Sequence, residues 1–80
     1  MDKLEALLAM LKGEYYIRCA RGGNSIIWYD DTVDKFVRQY DGESPRFTDI
    51  NSLTNNEELA GFDDYEKAQA YAESNTNKGI

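Results

Sequence analysis

The chain has 80 residues, a net charge of −6, a single cysteine and no histidine. That length allows one domain with a small core, and 41% apolar residues with ten aromatics (six Tyr, three Phe and one Trp) exclude a disordered tail. The lone Cys19 excludes an intrachain disulfide and points to a reducing compartment, while the acidic balance argues against direct contact with free nucleic acid, which needs clustered Lys and Arg.

Asp2 to Lys12 reads as a helix. Leu4, Leu7, Leu8 and Leu11 fall at helical spacing, Asp2 and Glu5 are placed like a capping box, and Gly13 can take the left-handed stop. So short a helix does not persist alone in water, so the leucine stripe is expected to pack on a sheet. The charges at positions 2, 3, 5 and 12 interrupt any uncharged run, which predicts neither a signal peptide nor a membrane span and makes the cytoplasm the expected location.

Residues 14 to 21, EYYIRCAR, alternate as a strand does. Gly22, Gly23 and Asn24 suit a tight hairpin turn, and SIIWYD returns as a second strand. The next stretch is ambiguous. Val33, Phe36, Val37 and Tyr40 have the spacing of a helix face, with Thr32 as a cap and Gly42 as a stop, yet KFVRQYD also alternates. A two-stranded ribbon needs a third strand, which favours strand over residues 35 to 41 and leaves Asp30 to Asp34 as a polar connection.

Residues 42 to 61 hold the only proline and little periodicity. Phe47, Ile50, Leu53 and Leu59 are expected to anchor them to the core, with a helical turn capped at Thr54-Asn55-Asn56-Glu57 and ended at Gly61. Asp63 to Ser74 reads as a second full helix, with Asp63 and Glu66 as its capping box, and residues 75 to 80 as a frayed tail. The expectation is one α+β domain over residues 1 to 80: an N-terminal helix, a three-stranded antiparallel meander, a short helical turn and a C-terminal helix. One sheet face would lie under both helices, and the other would be exposed.

No motif names a catalytic chemistry. Without histidine, Cys19 has no base to activate it and reads as a small core residue, and Arg21-Gly22-Gly23-Asn24 joins two strands rather than opening a helix as a phosphate loop does. Asp30, Asp31 and Asp34, or Asp63 and Asp64, lack the ligand spacing of a calcium loop. No metal, cofactor or catalytic residue is therefore expected, and the protein reads as a non-enzyme. The charge is uneven. Residues 1 to 40 carry six acids and six bases, residues 41 to 80 nine acids and three bases, so all the net charge lies in the second half. Such a field favours a basic protein surface. Tyr15, Tyr16, Trp28, Tyr29, Phe36 and Tyr40 crowd the expected sheet, and if exposed beside Arg18 and Arg38 they would have the composition of a binding hot spot. Their simpler reading is core.

The order LEALLAMLKGE, EYYIRCARGG, NSIIWYDD, DKFVRQYDG, followed by an acidic helical region, resembles the small acidic phage-encoded anti-CRISPR proteins, in particular Cas9 inhibitors built as helix, three antiparallel strands and helices. GFDDYEKAQAYAES also resembles the final helix of short phage and prophage domains. The resemblance implies a non-catalytic inhibitor that presents carboxylates to the basic groove of a nucleic-acid-binding complex, such as a Cas effector. The residues expected to carry such binding are Asp30, Asp31, Asp34, Glu57, Glu58, Asp63 and Asp64, with Tyr29 and Tyr40 as apolar anchors. The alternative is a small interaction or oligomerisation module using an aromatic sheet face or an edge strand; a monomer or weak dimer is expected in either case.

Overall fold

A computed structural model describes residues 2–12, 16–20, 24–53 and 58–78, with side chains as far as Tyr71. The described residues form helix α1 (Lys3–Leu11), strands β1 (Tyr16–Ala20), β2 (Ser25–Asp30), β3 (Lys35–Tyr40) and β4 (Arg46–Thr48), a 3₁₀ turn (Ile50–Ser52), strand β5 (Glu58–Phe62) and helix α2 (Tyr65–Lys78). The strands make one antiparallel sheet in the order β4-β3-β2-β1-β5. The α+β class and the β1–β2–β3 meander agree with the sequence. The sheet, however, has five strands among the described residues rather than three.

The ambiguous stretch is a strand. Lys35–Tyr40 pairs along its whole length with β2, from Asp30↔Lys35 to Ser25↔Tyr40. Its end is set by Gly42, whose φ of 81° supplies the positive-φ position of the turn closed by Glu43 N–H donating to the Tyr40 carbonyl at 3.0 Å. Strand β4 escaped the sequence because its three residues cannot show alternation, and Pro45 stands at its entry, as an edge strand allows. Strand β5 escaped it because ELAGF carries a glycine and no period of two. Gly61, read as a helix stop, instead pairs with Ile17. The expected cap at residues 54 to 57 lies outside the described residues.

Register divides the side chains between two faces. Ile17 and Cys19, Ser25, Ile27 and Tyr29, Phe36, Arg38 and Tyr40, and Leu59 share one face. This face is covered by α1 and by the chain crossing from β4 to β5, whose Ile50 and Leu53 join Ala6, Met10, Ile17, Cys19, Ile27 and Leu59 in the core. Tyr16 and Arg18, Ile26, Trp28 and Asp30, Lys35, Val37 and Gln39, and Phe47 share the other. Here α2 lies over β1 and β5, with Ala68 fully buried and the Tyr65 ring edge-on to Tyr16 and Trp28, both at 5.9 Å. The helices thus sit on opposite faces, and the expectation that both cover one face is corrected. The crossing chain shares the first face with α1, which leaves the second face to α2.

A second correction concerns α1. Asp2 caps it as expected, accepting from Glu5 N–H at 2.8 Å. The face it buries, however, is that of Ala6 and Met10, while Leu4, Leu8 and Leu11 remain 64%, 54% and 51% exposed. Ala6 lacks the bulk that would hold the helix off the sheet, and Met10 reaches down to fill the gap. The second helix begins at Tyr65, two residues later than expected. Asp64, rather than Asp63, accepts from Glu66 N–H at 2.9 Å, and the helix runs to Lys78.

Arg18 and Arg38 are buried and internally paired, so neither belongs to an exposed hot spot. Arg18, 2% exposed, makes a bidentate pair with Asp41 at 2.7 and 3.0 Å. Arg38 donates from Nε to Ser25 Oγ at 2.9 Å and from Nη1 to the Ser52 carbonyl at 2.7 Å, which ties the crossing chain to the sheet.

Met10→Ala is expected to lower stability by about 2–4 kcal/mol through the cavity it leaves, and Leu4→Ala by less than about 1 kcal/mol. Urea unfolding at low protein concentration separates the two, and equal losses would mean that the leucine stripe is the buried face. Asp41→Ala strands the Arg18 guanidinium and should cost about 2–3 kcal/mol. Arg18→Met should cost less in the same measurement, because the half-exposed Asp41 regains water.

Candidate functional site

The hairpin between β2 and β3 is built by its own aspartates. Asp30 accepts from Thr32 N–H at 3.0 Å and from Thr32 Oγ1 at 2.6 Å. Asp34 holds a φ of 55°, in the left-handed region that Asp tolerates better than most residues, and accepts from the Tyr29 hydroxyl. Tyr29 packs its ring against Phe36 at 5.2 Å. The hydrogen bond to Asp34, some burial and the charges of Asp34, Asp31 and Asp30 all hold the Tyr29 phenol above its ordinary pKa of 10.0.

Strand direction decides what stands beside this tip. Every strand has an end on this side of the sheet, so Asp30, Asp31 and Asp34 are joined by Asp49 after β4 and by Asp63 and Asp64 between β5 and α2. Across five strands the row spans about 20 Å. Lysines on this side are Lys12, Lys35 and Lys67. Lys67 donates to Asp63 at 3.1 Å, and that bond, with the charge of Asp63, raises the pKa of the ammonium. Of the other expected site residues, Glu58 and Tyr40 lie at the opposite end, opposite Ala20 and Ser25 respectively, and Glu57 is outside the described residues. The Arg38 guanidinium sits 5.0 Å from the centre of the Tyr40 ring, so that ring packs against a cation of its own chain.

Beside the acidic row is a feature that sequence reasoning missed. Helix α2 lies over β1 and β5 on its face of the sheet and meets β2 and β3 through Tyr65, leaving a groove of about 440 Å³ over β2, β3 and β4, lined by Trp28, Asp30, Val37, Pro45, Arg46 and Phe47. Trp28 is tilted against Tyr16 at 5.7 Å and fixed edge-on by Tyr65, whose hydroxyl donates to Gln39 Oε1 at 2.6 Å. Phe47 is 62% exposed, and the Lys35 ammonium lies 5.0 Å from the centre of its ring. Phe47 joins Trp28 only because β4 pairs with β3 in the register Val37↔Phe47, and no local pattern announces that pairing.

Among the described residues no group of His, Cys, Asp or Glu is placed to hold a metal ion, and every buried side-chain polar atom has a hydrogen-bond partner. Cys19 is buried with its Sγ 3.8 Å from the Ile17 carbonyl. The described surface offers charge and aromatic area rather than an activated nucleophile. Comparison with protein-family models, curated proteins and solved structures yields no match.

Asp34→Asn keeps the backbone conformation and removes the charge. The Tyr29 phenol should then titrate closer to 10.0, as followed by tyrosinate absorbance with Tyr29→Phe assigning the signal. A raised phenol pKa contributes stability that is present below pH 10 and lost as the pH climbs through the raised value, so the wild type should lose more stability than the Asn variant across that alkaline window. An unchanged Tyr29 titration would mean that the hydrogen bond does not form in solution.

Proposed function

We propose that this protein is a non-enzymatic inhibitor of a nucleic-acid-binding protein complex, docking the acidic end of its sheet into a basic groove as a nucleic-acid mimic. The observation that carries this reading is the acidic row running beside the Trp28–Phe47 groove. Six aspartates over about 20 Å average one per about 4 Å, a linear charge density comparable with one phosphate per about 3.4 Å of helix axis for one strand of a duplex. Lys and Arg that hold a phosphate backbone would meet these carboxylates instead.

The groove adds apolar area to this charge. An arginine or lysine of the partner can lay its stem along Trp28 and bring its charge to Asp30, beside the Phe47 ring, which already has the Lys35 ammonium 5.0 Å from its centre. Hot spots pair in this way, with a rigid ring at the centre and charges at the rim. The layout of helix, meander and acidic C-terminal region makes a Cas effector the first complex to test.

Such an inhibitor should compete with DNA or RNA for the effector and lose affinity as salt rises. The double reversal Asp31→Lys with Asp63→Lys should weaken binding by more than tenfold, and Phe47→Ala by about tenfold, about 1.4 kcal/mol. These positions are exposed, so circular dichroism should report the same fold for every variant. Gel shifts and cleavage inhibition read the effect. Wild type and reversed variant behaving alike would leave the acidity as a contribution to solubility alone.

A further inference from the structure

Leu4, Leu8 and Leu11 are spaced i, i+4, i+7 on α1, and all three are more than half exposed on the side of the helix opposite Ala6 and Met10. This is the seam spacing of paired helices. We infer that this stripe is the contact between two copies of the chain, packed antiparallel about a two-fold axis beside Leu8. The inference is independent of the proposed function, since α1 lies on the sheet face away from the groove.

The charges along α1 select the partner and its direction. Glu5 and Lys12 are seven residues apart, on the same flank of the stripe, one near each end. About a two-fold axis each Glu5 faces the Lys12 of the partner subunit, Leu4 meets the partner's Leu11, and the two helix dipoles run opposed. A parallel pair would set like charges and like dipoles side by side. A flank that carries Glu5 near one end and Lys12 at the other is complementary to itself, and Lys3 lies on the opposite flank. The contact is small. A helix of nine residues is about 13.5 Å long, and three leucines a side stay well under the roughly 1,200 Å² of a standard specific interface. The dimer is therefore weak, with a dissociation constant on the order of 100 μM. The acidic end of each copy lies towards the C-terminus of its own α1, so the antiparallel pair carries its two acidic ends at opposite poles, both open.

Sedimentation velocity on the full chain from about 10 μM to about 1 mM reads the equilibrium. The wild type should pass from the mass of one chain to that of two, and Leu8→Glu should stay at one throughout while keeping the circular dichroism and dilute-solution stability of the wild type. Charge exchange tests the geometry. Glu5→Lys and Lys12→Glu should each weaken association severalfold, and the double variant should recover it, because the exchanged charges again face their opposites. A wild type that is monomeric at every concentration overturns the inference and leaves the stripe to a foreign partner. So does a dimer that survives Leu8→Glu, or a double variant as weak as the singles.

Discussion

Strand β5 joins the sheet beside β1, and most of the molecule depends on that pairing. It brings Leu59 against Cys19 to close the core beneath α1, and it delivers Phe62 opposite Tyr16 so that α2 starts on the far face of the sheet. The pairing also forces the chain to cross one face between β4 and β5. The crossing brings Ile50 and Leu53 into the core and makes Arg38 necessary, since the Ser52 carbonyl loses water there and accepts a hydrogen bond from the guanidinium in exchange.

The same pairing explains where charge accumulates. An antiparallel sheet sends alternate connections to opposite ends, and here the β2–β3 hairpin, the exit from β4 and the entry to α2 share one end. Turn and cap positions favour aspartate for local reasons, because its short carboxylate accepts backbone N–H groups, as Asp30, Asp49 and Asp64 do. Gathering such positions at one end builds an acidic surface from residues that each have a structural task. Because turn hydrogen bonds orient them, a partner ordering those carboxylates would lose little entropy.

The faces of the sheet are protected unequally. One carries α1 and the crossing chain, whereas α2 lies over β1 and β5 on the other and reaches β2 and β3 through Tyr65, which leaves a groove lined by Trp28, Val37 and Phe47. A sheet of five short strands is wider than one helix of about 10 Å diameter can roof. The exposed aromatic area is thus a consequence of width. Among the described aromatics of the strands, Tyr16 lies under Tyr65, Tyr29 packs on Phe36 and Tyr40 against Arg38, while Trp28 and Phe47 line the groove.

Local interactions were legible in the sequence. The Asp2 cap, the alternation of β1 and β2, the polar hairpin tip and the preference of residues 35 to 40 for strand all rest on neighbours a few positions apart, and the carboxylates at Asp30, Asp31 and Asp34 could be named from it. Tertiary structure decided the rest. Strands β4 and β5 exist because Val37 and β1 offer open edges, not because RFT or ELAGF demand extension, so neither the groove nor the acidic row across five strands could be read from spacing. The face that α1 buries was decided in the same way: the leucines carry the larger hydrophobic area, but the close approach allowed by Ala6 and the reach of Met10 match the sheet beneath, and shape complementarity outweighed area.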